Sequence, residues 1–173
     1  MKARPVKVNP RRSVASNAAR ILRVRLDELY GFDPAVRDPA RVTELHDMRI
    51  AAKRLRYVLE ITGHCFGDVG SEAEAVAKAL QEVLGEIHDC DVLIPRVDQE
   101  LATLRAHDAL TMARLSPDVD DLPTAIRRAP GRARYRGLET LAAALTARRS
   151  LLHARFVAEW SEIMAGGLRE RLL

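Results

Sequence analysis

Long stretches in which apolar residues recur every three to four positions, with few interruptions, constrain this chain more than any other feature of it. Only 9 glycines and 8 prolines punctuate the 173 residues, and a period near 3.6 is the signature of amphipathic helix rather than strand. Ala, Leu, Arg and Glu dominate, aromatics are 4%, and β-branched runs are scarce, which favours helix and disfavours a sandwich or barrel. With 47% hydrophobic residues the chain can bury a core, so wholesale disorder is excluded. The expected class is all-α: an antiparallel bundle of about four long helices joined by short polar connections.

Punctuation places these helices. The first runs from about Arg11 to Tyr30 and stops at Gly31 and Asp33-Pro34. A second spans about Arg41 to His64, with Asp38 as cap and Pro39 at its first position, and ends before Gly67. Ser71 and Glu74 form a capping box for a third helix reaching His107 or beyond, which Pro95 should kink or divide. Ser116 to Pro130 looks like a loop with a short helix inside, and the last helix runs from about Arg132 to Gly166. Residues 1–10 form a basic, partly unfolded N-terminus, and 11–168 a single helical domain.

Charge is segregated. Residues 1–25 carry eight basic side chains and no acidic one, 127–155 have eight arginines against Glu139, and 60–121 hold fourteen acidic and four basic residues. Of 28 cations 24 are arginine, whose planar fork suits bidentate contact with phosphate oxygens. No stretch has the length and apolarity of a membrane span, and no secretory signal opens the chain. Cys65 and Cys90 are too few for a disulfide framework and read as buried small hydrophobes. A cytoplasmic location is expected.

The second helix carries the most information. On a helical wheel Leu45, Met48, Ala52, Leu55 and Leu59 form one apolar stripe, and His46, Arg49, Lys53 and Arg56 form a cationic one. The cations adjoin the apolar stripe instead of opposing it. Like charges at positions i, i+3, i+7 and i+10 repel, by a few tenths of a kcal/mol per pair. A polyanion lying along the helix would compensate; neutralisation by Glu60 and the acids of the third helix is the plainer alternative.

The run His46-x-x-Arg49-x-x-x-Lys53-Arg54-x-Arg56-Tyr57, followed by Leu80-x-x-x-Leu84-Gly85-x-x-x-Asp89-x-Asp91-Val92, resembles the CHAD domain, the conserved histidine α-helical domain. The resemblance implies an all-helical protein that binds inorganic polyphosphate, in many cases at polyphosphate granules. It assigns His46, Arg49, Lys53, Arg54 and Arg56 to the polyphosphate surface. Arg54 lies on the far side of the wheel, so its assignment follows from the resemblance alone. Asp89 and Asp91 match a structural acidic motif. A CHAD domain, as the resemblance implies, has two related bundles facing each other across a basic channel, and this chain has room for about one; a homodimer is the expected source of the second wall, with an open groove or loss of the family's binding as the alternatives.

Further cations are candidates for the same surface. Arg127, Arg128, Arg132, Arg134 and Arg136 cluster around Pro130-Gly131, and Arg148, Arg149, His153 and Arg155 adjoin the apolar stripe of the last helix. The polyphosphate set is therefore His46, Arg49, Lys53, Arg54, Arg56, Arg132, Arg134, Arg148, Arg149 and Arg155, with Arg11, Arg12 and Arg20 read as a solvated face. A nucleic-acid binding module using the same cations is the main rival, although aromatics for base stacking are few. The dipeptides His46-Asp47, His88-Asp89 and His107-Asp108 raise an HD-type metal phosphohydrolase, but His46 lies among cations, a poor place for a metal. No nucleophile elbow or phosphate-binding glycine loop is present, and no enzyme, metal or cofactor is expected.

Overall fold

The computed structural model describes residues 2–116, 118–127 and 129–173, with the side chain of Arg132 outside that description. It is all-α, with no strand among the described residues. Four long helices, α1 (Val14–Tyr30), α2 (Val42–Thr62), α3 (Gly67–Leu115) and α5 (Arg132–Ala165), are accompanied by two short ones, α4 (Leu122–Ile126) between α3 and α5 and α6 (Leu168–Leu172) after α5. The chain divides into two compact units, Met1–His88 with Ser150–Leu173, and Asp89–Arg149.

In the first unit α1 and α2 pack along one another. The stripe of Leu45, Met48, Ala52, Leu55 and Leu59 is buried as the periodicity requires, against Leu22 and Leu26 of α1 and Leu80 and Leu84 of α3. Phe156 and Trp160 from α5 are fully buried in the same core, and the Trp160 indole donates to Asp33 Oδ1 at 3.1 Å. A buried indole N–H needs such an acceptor. The N-terminal segment is not helical but is tied to α1. Glu28 accepts from the Arg4 amide, the Arg25 guanidinium donates to Glu28 and the Arg4 carbonyl, and Asn17 exchanges hydrogen bonds with Asn9.

The second unit has a smaller core, with Cys90, Val97, Leu101 and Leu104 along α3 and Ala125 from α4. Asp108 is fully buried and accepts hydrogen bonds from the Gly131 amide and the Tyr135 hydroxyl, at 2.9 and 2.6 Å. A buried carboxylate with those donors anchors the start of α5. The bond to Asp108 and burial push the Tyr135 phenol up.

Element ends differ from the sequence expectation in instructive ways. Pro95 does not divide α3. It is exposed, so water can satisfy the Asp91 carbonyl that loses its helical partner. Asp38 accepts from the Ala40 amide, closing a turn, and α2 starts later, at Val42. Ser71 lies inside the first turns of α3, which begins at Gly67 with a φ of +58°. The backbones of Gly63 and Gly70 touch at this corner: a Cβ on Gly70 would sit 2.2 Å from the Gly63 carbonyl oxygen. Gly70→Ala should therefore lower the stability by about 2 kcal/mol or more. Gly137→Ala, on α5 with nothing within 4 Å of the new methyl, should raise it by about 0.5–1 kcal/mol. Urea unfolding followed by circular dichroism measures both.

Candidate functional site

Because the apolar stripe of α2 is fixed in the core, the residues beside it are held at the core's rim. His46, Arg49 and Arg56 are half-buried there, and Lys53 is exposed. The Arg49 guanidinium passes over Gly85 of α3, where a Cβ would lie 3.7 Å from Arg49 Nε. That Nε is buried and donates to no acceptor among the described residues. Lys53 has no carboxylate in ion-pair reach among them; its ammonium lies 5.6 Å from the centroid of the Tyr57 ring, and the Arg56 guanidinium 5.2 Å from the same centroid. Arg56 Nε approaches Glu60 Oε1 at 3.1 Å without hydrogen-bond geometry. With Glu60 42% exposed that charge contact contributes little.

At the N-terminal end of the stripe, His46 Nδ1 faces His88 Nδ1 of α3 at 3.3 Å, with ring centroids 4.6 Å apart. A hydrogen bond between the two rings requires one nitrogen to donate and the other to accept. The pairing of His46 with His88 was not foreseen from the sequence. His88 follows Gly85 by three residues and so shares a face of α3 with it, but nothing in the sequence of α2 marks it as the partner of His46.

The other candidates are distributed over both units. Arg54 is half-buried on α2 and partnered. Arg155, in the first unit, is exposed and bonded to Glu159 one turn on at 2.6 Å, a contact that raises the guanidinium's already high pKa. In the second unit Arg149 forms an ion pair with Asp91 at 2.5 Å, and both side chains are largely buried. Asp91 thus plays the structural part the sequence suggested. Arg148 is exposed, and the Cys90 thiol nearby is pushed up by burial although Arg148 and Arg149 pull it down. Arg134 is exposed in the first turn of α5, while Arg128 and the Arg132 side chain lie outside the described residues.

Of the three His-Asp dipeptides, two bring their histidines together, His46 and His88. His107 is exposed while Asp108 is committed to Gly131 and Tyr135. Among the described residues no group of three or more His, Cys, Asp or Glu side chains could hold a metal ion. What the α2 face offers is positive charge and unsatisfied N–H donors, chemistry suited to phosphate oxygens.

A family model described as the CHAD domain matches residues 20–172. No curated protein and no solved structure matches the chain significantly. No described helix is long and apolar enough to cross a membrane.

The burial of the Arg149–Asp91 pair sets a test that separates a structural arginine from a binding one. Asp91→Asn leaves the guanidinium without its counter-charge and should lower stability by about 2 kcal/mol. The same change at the exposed Asp89 should alter it by less than about 0.5 kcal/mol, both read from urea unfolding.

Proposed function

The chain belongs to the CHAD domain family, which is associated with polyphosphate binding and is generally non-catalytic, and from that membership we propose that it binds inorganic polyphosphate along α2. His46, Arg49, Lys53 and Arg56 make the principal contacts. The observation that carries this reading is Arg49: a half-buried guanidinium whose Nε–H has no acceptor among the described residues. A buried donor left unmade costs about 1–3 kcal/mol, and a phosphate oxygen would satisfy it with a charge-assisted bond.

Spacing supports a linear ligand. The four side chains climb α2 at about 5.4 Å per turn, so a chain of phosphates lying along the helix meets a donor at each turn. Gly85 keeps the facing side of α3 open above Arg49. Arg54 and Arg155, in the same unit as α2, are outer contacts in this proposal. A second copy of the chain, related by a twofold axis, supplies the facing wall, and polyphosphate granules are the expected place of action.

Titration with long-chain polyphosphate at near-physiological salt tests the reading. Affinity should fall steeply as salt rises. Arg49→Ala/Lys53→Ala/Arg56→Ala should weaken binding by about a hundredfold or more, the loss of at least two charge-assisted contacts. Light scattering on the wild-type complex should report two copies of the chain. Undiminished affinity in the triple variant, or displacement of polyphosphate by RNA at equal phosphate concentration, would contradict it; the second outcome would favour the nucleic-acid reading.

A further inference from the structure

A second cationic site lies on α1, away from α2. The core of the first unit takes Ala18, Leu22, Leu26 and Leu29 from one face of α1. Ser16, Ala19, Arg20, Arg23 and Val24 follow one another at helical spacing on the opposite side. The N-terminal segment runs back along that side, fastened at one end by Arg4 to Glu28 and Arg25 and at the other by Asn9 to Asn17. Between these two fastenings is a groove of about 640 Å³.

The lining is one-sided in charge. Lys7, Arg12, Arg20 and Arg23 surround the groove and no acidic side chain lines it. None of these four cations has an ion pair among the described residues, and all are exposed. Three exposed arginines elsewhere in the same unit are neutralised locally, Arg37 by Asp33, Arg155 by Glu159 and Arg171 by Glu72. Yet the walls are not merely polar. Pro5, Val6, Ala19 and Val24 form an aliphatic lining beneath the charges, and Ala19 is small enough to leave a recess.

We infer that this groove binds a nucleoside polyphosphate, with Lys7, Arg12, Arg20 and Arg23 on the phosphates and the aliphatic lining against the base. Charge alone would suit any compact polyanion. The apolar floor adds a preference for a ligand with a planar ring at one end, and the volume is within the range that small-molecule sites occupy. The groove depends on the fastened N-terminal segment, because two of its four cations, Lys7 and Arg12, precede α1. The site stands whether or not α2 binds polyphosphate.

The experiment uses the full chain carrying Arg49→Ala/Lys53→Ala/Arg56→Ala, so that the α2 surface does not contribute. ATP, inorganic triphosphate and adenosine are titrated by calorimetry. ATP should bind, more tightly than triphosphate, while adenosine should not bind measurably. Arg20→Ala/Arg23→Ala added to this background should weaken ATP at least about tenfold, as expected for losing phosphate contacts. Ala19→Leu keeps every charge but fills the floor, and should weaken ATP while sparing triphosphate. Both positions are away from the core, and circular dichroism checks the fold. No binding of ATP, equal binding of triphosphate and ATP, or ATP binding indifferent to both sets of substitutions would overturn the assignment. Failure here leaves the α2 reading standing, since that is tested with intact Arg49, Lys53 and Arg56.

Discussion

Burial of one stripe of α2 decides what the rest of its surface can do. Leu45, Met48, Ala52, Leu55 and Leu59 are all held in the core, facing α1 and α3, and a helix fixed along one stripe has no rotational freedom left. His46, Arg49, Lys53 and Arg56 are then obliged to stand at the rim of that core. An arginine on an outer face would be fully hydrated; Arg49 at the rim has given up part of its water and found no acceptor for its Nε among the described residues in exchange. The same packing that stabilises the bundle thus creates a place where an anion is worth more than it would be in solution.

The protein's own acids mark where its cations are structural. Arg149 is paired with Asp91, Arg25 with Glu28, and Arg169 with Asp27, and in each case an anion is already provided by the fold. Arg49 and Lys53 have no such provision among the described residues, and Arg56 has only the exposed Glu60. Net charge alone would not have separated these groups. The distinction comes from local pairing, which differs between arginines of similar exposure.

Much of this was legible in the sequence. The five-residue apolar stripe of α2 and the four cations beside it follow from spacing alone, because a 3.6-residue period projects each side chain to a definable face. The short helix in the Ser116–Pro130 loop and the long final helix were also readable. What was not readable depended on contacts between distant residues. The meeting of His46 with His88 across 42 positions and the seating of Gly131 and Tyr135 on Asp108 have no local signal. Nor does the close approach of Gly63 and Gly70, at the corner where α3 begins ahead of an apparently adequate capping box. Pro95 does not divide α3 for a different reason: an exposed proline deprives the helix of one hydrogen bond, and apolar residues of α3 are buried on both sides of it. Family resemblance, carried by the His46 to Tyr57 run, supplied the ligand class that spacing could only describe as anionic.

The most direct test of the account is to watch the Arg49 side chain itself. In an NMR spectrum of the arginine Nε–H groups, assigned with Arg49→Lys, the account predicts that the Arg49 resonance moves on addition of polyphosphate and becomes protected from solvent exchange. The Arg149 signal, already bonded to Asp91, should change little. An Arg49 signal unmoved at saturating polyphosphate would contradict the claim that its unmet donor is where the anion binds.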